Sequence, residues 1–146
     1  MLDFHITSTL EQCRVIQLGK HHHDNGNLTV VEDNNEIPFK IKRTFYLYDI
    51  PGGEDRGGHS HRTLYQFIIA ISGSFDVKLD DGVSKKTVTL NRPYEGLLVV
   101  PGIWDELCNF SSGSVCAVIV SDVYQEKDYV RNYQEFIRLT AGKNKM

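Results

Sequence analysis

Two histidines, His59 and His61, are the residues of this sequence whose type and spacing best suit acid and base chemistry. Side chains two residues apart on an extended strand project to the same face, so we expect both imidazoles to share one pocket. An imidazole accepts and donates protons near neutral pH because its ordinary pKa is about 6.5. The pair can therefore serve a proton transfer that needs both a base and an acid.

The histidines lie within a segment, residues 51–73, that combines glycine-rich turns with a long apolar run. Residues 67–71 are apolar on both faces, which is typical of a strand buried in the wall of a sandwich or barrel. The sequence therefore predicts that the histidine pair lies at the lip of a core strand.

Most of the remaining chain predicts β-strands, because short β-branched runs are bounded by turn residues and no βαβ alternation is visible. These predicted strands cover residues 28–32, 39–50, 74–79, 85–90, 96–100 and 115–123. Residues 20–27, with three consecutive histidines, are predicted as a solvated loop rather than a metal site, since no cysteine or acid stands at ligand spacing. From Glu126 onward the apolar positions recur at helical spacing, which predicts a C-terminal helix.

The length, charge and hydrophobicity of the chain limit the classes of protein to which it can belong. At 146 residues it is expected to form a single domain, residues 1–146, with a sizeable core, and its net charge of −3 gives no reason to expect a nucleic-acid partner. No stretch approaches the roughly 20 apolar residues of a membrane helix, and the N-terminus lacks the pattern of a signal peptide. We therefore expect a soluble, cytoplasmic protein with no membrane partner, whose three cysteines are reduced.

Arg43 is a lone charge on a predicted apolar strand face. Alternation places it with Phe45 and Leu47, and places Tyr46 and Tyr48 on the opposite face. Such an arginine either extends to the rim of the core or reaches a bound phosphate, and the residues alone leave both interpretations open.

The histidine segment also resembles the first cupin motif, with Gln66 where that motif has a glutamate. A second segment, residues 96–109, resembles the second cupin motif, with Asp105 in the place of its histidine. Of the usual metal ligands of that fold only the first two histidines remain, so we expect neither a bound metal nor another cofactor.

An ordered series of segments resembles one family, the dTDP-hexose 3,4-ketoisomerases, also called WxcM-like proteins. The similarity covers residues 26–139 and runs through IPFKIKR, RGGHSH, GLLVVPGIW and SDVYQEKDYVRNYQEF. It implies an all-β cupin jelly roll (a double-stranded β-helix) with a short C-terminal helix. It also implies a homodimer in which N-terminal strands can be exchanged, and metal-independent conversion of a dTDP-linked 4-oxo-6-deoxy sugar to its 3-oxo isomer.

The resemblance assigns roles to individual residues. His59 and His61 match the family's catalytic pair, and Arg43 and Arg56 match its basic residues near the nucleotide diphosphate. Gln66 and Asp105 are expected to contact substrate. Tyr46, Tyr48 or Trp104 could cover the nucleobase or sugar, and which of them does so is left open. Departures from residues frequent in the family occur at Asn25, Tyr65 and Asp105.

Three other functions fit the same residues. A sugar-nucleotide epimerase also removes a proton beside a C4 ketone but returns it to the same carbon. A metal-dependent cupin such as an oxygenase could use His59, His61 and Asp105 as ligands. A non-catalytic sugar-binding cupin would use the histidines only as hydrogen-bond partners.

Overall fold

The computed structural model describes residues 4–143, and these fold into twelve β-strands and one α-helix. The strands are β1 Arg14–Gln17, β2 His21–His23, β3 Gly26–Leu28, β4 Arg43–Leu47, β5 Arg56–His61, β6 Gln66–Ser72, β7 Phe75–Asp80, β8 Lys85–Leu90, β9 Glu95–Val99, β10 Trp104–Cys108, β11 Val115–Val120 and β12 Tyr129–Val130. The helix α1 spans Tyr133–Thr140.

Two five-stranded antiparallel sheets face each other. The first sheet has the order β1-β9-β6-β11-β4, the second has the order β12-β5-β10-β7-β8, and β2 and β3 form a separate hairpin. Successive strands mostly alternate between the sheets, as in a jelly roll. The predicted all-β, cupin-type fold with a short C-terminal helix is confirmed.

The main core fills the space between the two sheets, and the apolar faces of alternating strands supply it. Strand β6 shows why residues 67–71 are apolar on both faces. Ile68 and Ala70 belong to the core between the sheets, whereas Phe67 and Ile69 pack outward beneath Ile37 and Phe39. This strand is therefore covered on both sides, as the continuous apolar run predicts.

Three of the strand and loop predictions need correction. The strand predicted over residues 39–50 is only Arg43–Leu47, because the preceding residues leave the sheet to pack across its outer face. The strand predicted over 28–32 ends at Leu28, and the three histidines lie on a hairpin strand instead of in a loop. Their exposure to solvent agrees with the prediction.

The C-terminal helix begins later than its apolar spacing predicts. Residues Glu126–Asp128 form a single 3₁₀ turn, and Tyr129 and Val130 pair with β5 as a short strand. The helix starts only after Asn132, whose side chain accepts a hydrogen bond from the Glu135 backbone N–H at 3.0 Å. Its buried face packs Phe136 and Leu139 against the second sheet.

The helices of the described residues are short. Among residues 4–143, no helix has the length and apolar character needed to cross a membrane.

Candidate functional site

A β-bulge at Gly57 and Gly58 shapes the strand that carries both histidines. In the pairing of β5 with β10, His59 lies opposite Asp105 and Gly57 lies opposite Glu106, so one extra residue is accommodated between them. Both glycines have positive φ, +97° and +105°, which other residues rarely adopt. Bulges of this kind redirect side chains, and here Arg56 comes to the same face as His59.

The two imidazoles lie next to each other, as the sequence predicts. Their ring centroids are 4.9 Å apart and the rings are nearly perpendicular. The side chain of His59 is 23% exposed, whereas that of His61 is 3% exposed. One histidine therefore faces the open part of the site while the other is enclosed.

His61 has a carboxylate partner, because its Nδ1 lies 3.0 Å from Oδ2 of Asp128. Burial lowers the pKa of His61 from its ordinary 6.5 to about 4, and the charges of His59 and Arg43 act in the same direction, while Asp128 opposes the change. His61 is therefore neutral at neutral pH and able to accept a proton.

Asp105 and Gln66 form a buried pair beside His59. The Gln66 amide donates a hydrogen bond to Oδ2 of Asp105 at 3.0 Å, and Oδ1 of Asp105 lies 3.5 Å from Nε2 of His59. Burial raises the pKa of the Asp105 carboxyl, although His59 and Gln66 favour its ionised form. The pair provides polar groups at the inner end of an otherwise apolar wall.

Two adjacent cavities meet at the histidines. A cavity of about 320 Å³ lies between the sheets, and its lining includes Arg56, His59, Gln66, Asp105 and Tyr129. A second, of about 400 Å³, is lined by residues that include Arg43, His61, Asp128 and again Tyr129. The Tyr129 ring packs against both imidazoles, with centroid distances of 5.3 Å and 4.3 Å.

Two guanidinium groups at these cavities are available for an anion. Within residues 4–143, neither Arg43 nor Arg56 forms an ion pair with a carboxylate, whereas Arg62, Arg131 and Arg138 all do. The Nε of Arg43 is buried without a hydrogen-bond partner. An unpaired buried donor is costly, so a ligand oxygen at this position would be favourable.

The three candidate aromatic residues do not line these cavities. Tyr46 and Tyr48 are 62% and 61% exposed on the outer face of the first sheet, where their rings lie 5.8 Å apart. Trp104 is buried on the outer face of the second sheet against Tyr133 and Phe136 of helix α1. The structure thus brings together the two histidines, both arginines, Gln66 and Asp105, and separates these aromatic side chains from them.

The segment between β11 and α1 supplies site residues that the sequence analysis missed. Asp128, Tyr129 and Arg131 all line the cavities, and the Arg131 guanidinium lies 4.0 Å from the Tyr129 ring centroid. The family resemblance includes the segment SDVYQEKDYVRNYQEF, which contains all three residues. The helical spacing of its apolar positions predicts packing against the sheet and gives no indication of a site.

The donor atoms at the site do not converge as metal ligands would. Among the described residues, no three His, Cys, Asp or Glu side chains come together in a group that could hold a metal ion. His61 contacts Asp128 while His59 contacts Asp105, so each imidazole faces a different carboxylate.

Fold and site together define a cupin-type pocket with paired histidines and two arginines that have no carboxylate partner among residues 4–143, and the comparisons with known proteins specify the family. Residues 11–141 match the family described as FdtA: WxcM-like, C-terminal. A TDP-4-oxo-6-deoxy-α-D-glucose-3,4-oxoisomerase from Aneurinibacillus thermoaerophilus is 42% identical over 131 residues, which is 90% of this chain and 94% of the relative. The chain therefore belongs to this family of WxcM-like proteins, the FdtA family.

Solved structures of similar proteins have the same fold. The WlaRB TDP-quinovose 3,4-ketoisomerase from Campylobacter jejuni is 40% identical, with a TM-score of 0.84 over 88% of this chain and 98% of that chain. A histidine-to-asparagine mutant of the 3,4-ketoisomerase QdtA from Thermoanaerobacterium thermosaccharolyticum, in complex with TDP-4-keto-6-deoxyglucose, is 35% identical. Its TM-score is 0.86 over 89% of this chain and 94% of that chain.

Proposed function

We propose that this protein is a sugar-nucleotide 3,4-ketoisomerase that converts a dTDP-4-oxo-6-deoxyhexose to its 3-oxo isomer. One observation carries the proposal: two imidazoles 4.9 Å apart on one strand face cavities that also contain two guanidinium groups without a carboxylate partner in residues 4–143. The related enzymes act on substrates of this kind, as their names state.

The reaction needs only proton transfers. A ketone at C4 acidifies the C3 hydrogen, so one imidazole removes it as a proton and leaves an enediolate across C3 and C4. The proton on O3 moves to O4, and a proton delivered to C4 leaves the carbonyl at C3. We assign these proton transfers to His59 and His61, because an imidazole can accept and release a proton without a cofactor.

The guanidinium groups of Arg43 and Arg56 are suited to the diphosphate. Planar paired donors match phosphate oxygens, and neither group must first leave a carboxylate partner among the described residues. Gln66 and Asp105 lie deeper in the cavity of His59, where they can contact sugar hydroxyls. We assign the aromatic contact to Tyr129, which lines both cavities, whereas Tyr46, Tyr48 and Trp104 line neither.

The test is to follow the carbonyl carbon. Purified protein is incubated with dTDP-4-oxo-6-deoxyglucose carrying ¹³C at C3 and C4, and ¹³C NMR reports which carbon bears the ketone. The expected result is transfer of the carbonyl from C4 to C3. A carbonyl that stays at C4 while a neighbouring centre inverts would identify an epimerase, and an unchanged substrate that binds would identify a sugar-binding protein.

We also propose that the protein forms a homodimer through the outer face of its first sheet. This face carries an open apolar groove of about 590 Å³ whose lining includes Ile69, Ile71, Ala117 and Ile119, and Ile71 is 48% exposed. Within the described part of the chain, strand β1 lies at the sheet edge and pairs with β9 alone, so β9 could form the same pairing with the β1 of a second copy.

Analytical ultracentrifugation tests the dimer. Ile71→Lys should shift the protein toward monomer, whereas Val83→Lys, a matched change at an exposed turn far from this face, should not. A monomeric parent protein at micromolar concentration would contradict the proposal.

A further inference from the structure

Asp128 lies at this site but has no part in the proton transfers assigned to His59 and His61. It lies in the 3₁₀ turn Glu126–Asp128, and its side chain is 12% exposed. Four of its contacts go to the three consecutive residues that end and follow β5, so it is fixed directly beside the histidine strand.

The contacts divide between its two carboxylate oxygens. Oδ1 accepts hydrogen bonds from the backbone N–H of Thr63 at 2.8 Å and from the Thr63 hydroxyl at 2.7 Å. Oδ2 lies 3.0 Å from Nδ1 of His61. The backbone carbonyl of Asp128 also accepts a hydrogen bond from the N–H of Arg62 at 2.9 Å.

From this arrangement we infer that Asp128 is a positioning residue that holds His61 in the tautomer with its proton on Nδ1, leaving Nε2 as the atom that accepts substrate protons. An ionised carboxylate can only accept hydrogen bonds, so the nitrogen facing it must carry the hydrogen. Because a neutral imidazole has one N–H, the other nitrogen then has a free lone pair.

The charge of Asp128 supports this role. Burial opposes its ionisation, but the hydrogen bonds from Thr63 and His61 outweigh burial and hold the pKa of the Asp128 carboxyl below its usual value. Asp128 is therefore negative at neutral pH. When His61 takes a proton during the reaction, the resulting imidazolium lies against this negative charge, with Nδ1 3.0 Å from Oδ2 of Asp128.

Asp128→Asn is a sharp test because the two oxygens have different partners. The amide oxygen should take the Oδ1 position, where the N–H of Thr63 requires an acceptor, and this directs the amide NH₂ toward His61. The NH₂ donates, so Nδ1 must accept and the His61 proton moves to Nε2. The variant should fold but should lack the proton acceptor.

The first measurement is the tautomer of His61, by long-range ¹H–¹⁵N NMR on the whole protein at neutral pH. In the parent protein Nδ1 should be protonated, and in Asp128→Asn the proton should be on Nε2. A parent protein with the proton on Nε2 would overturn the inference, and this result needs no variant and no assumption about the reaction.

The second measurement rests on the proposed function. Asp128→Asn should lower kcat for the 3,4-ketoisomerase reaction by about 10²–10⁴-fold while KM changes less than about twofold, because both carboxylate oxygens of Asp128 are already engaged by Thr63 and His61. Asp76→Asn is the matched control, since Asp76 also accepts a hydrogen bond from a threonine hydroxyl but on the outer surface. Its kcat should equal that of the parent.

The two measurements separate the hypotheses. A parent protein without ketoisomerase activity but with His61 protonated on Nδ1 would contradict the proposed function and support the role of Asp128 in setting the tautomer of His61. An active parent whose Asp128→Asn variant keeps near-parent kcat would overturn the role of Asp128 and leave the function intact.

Discussion

The two histidines, although adjacent, have different surroundings. His61 is enclosed and has an ionised carboxylate on one nitrogen, whereas His59 faces the open cavity and a deeply buried Asp105. A base that removes a proton from carbon benefits from exclusion of water and from a fixed orientation. We therefore assign the removal of the C3 proton to His61 and the transfer between oxygens to His59.

Asparagine substitutions test this division of labour. Each of His59→Asn and His61→Asn should lower turnover by about 10²–10⁴-fold, since asparagine cannot titrate. In D₂O, however, His61→Asn should abolish exchange of the substrate's C3 hydrogen, and His59→Asn should retain exchange without forming the 3-oxo product. If His61→Asn still exchanges at near the parent rate, the roles are reversed or another residue is the base.

Arg56 is expected to bind the diphosphate rather than take part in the chemistry. Loss of a charge-assisted hydrogen bond costs about 1.5–3 kcal/mol, so Arg56→Ala should raise KM by roughly 10- to 100-fold and change kcat less. Arg56→Lys should restore binding only in part, because it lacks the paired donors. Steady-state kinetics and calorimetric titration with dTDP measure this, with Arg92→Ala as the control at an exposed arginine. An effect on kcat alone would show a catalytic role.

The site residues also predict independence from metal. His59 and His61 face different carboxylates, and Gln66 replaces a charged ligand with a weak one. Protein purified without a His tag should keep full activity after dialysis against a chelator. Stoichiometric zinc, iron or nickel, with activity lost on chelation and restored by the same metal, would show the opposite.

The bulge in strand β5 brings Arg56 and His59 to the same face of the strand. A side chain at Gly58 would meet only an ordinary contact, with Cζ2 of Trp104 at 3.7 Å, so the requirement for glycine comes from its φ of +105°. Gly58→Ala should therefore strain the backbone by about 1–2 kcal/mol and lower Tm by roughly 2–8 °C. Activity should fall further, because relief of this strain moves His59.

Gly19→Ala is the control for the bulge, since Gly19 has no positive φ and an added Cβ would lie an ordinary 3.6 Å from Nε2 of His21. Differential scanning calorimetry and kinetics of both variants give the comparison. A Gly58→Ala variant with parent Tm and parent activity would show that the bulge accepts a side chain.

The elements also show what the sequence could predict. Alternation along β4 correctly grouped Arg43 with Phe45 and Leu47, and the same alternation places Tyr46 and Tyr48 on the opposite face. It likewise separates Trp104 from Asp105. The aromatic residue type suggests a contact with substrate for these three side chains, but the period of the strands places them away from the cavities.

Other features left no periodic signal. Strict alternation would place Arg56 opposite His59, and only the bulge brings both to one face. Strand β12 has two residues, too few for any period, and its pairing partner His61 is distant in sequence. Tyr129 and Val130 therefore form a strand, despite their helical spacing, because they pair with β5.

At the scale of the whole molecule, the burial of His61 links stability to pH. The unfolded chain binds a proton at His61 below about pH 6.5, but the folded protein does so only near pH 4. Stability from this group is complete above pH 6.5 and is lost as pH falls toward 4. At about 1.4 kcal/mol per pH unit, the loss is roughly 3 kcal/mol.

Urea unfolding at several pH values measures this linkage. His61→Asn should lose distinctly less stability between pH 6.5 and pH 4 than the parent, whereas His22→Asn, a change on the exposed hairpin, should follow the parent. Parallel curves for the parent and His61→Asn would show that His61 does not resist protonation in the folded state.

The contact between His61 and Asp128 joins residues 67 positions apart in the chain. A ribosome adds about 5–20 residues per second, so roughly 3 to 13 seconds separate the synthesis of the histidine strand from that of its carboxylate partner. Strand β10 is completed within this interval, and from then on β5 can have β10 on one side but not yet β12 on the other. The strands of the two sheets other than β12 are thus synthesised before the carboxylate that orients His61, and a chain that stops before Asp128 contains both histidines without that partner.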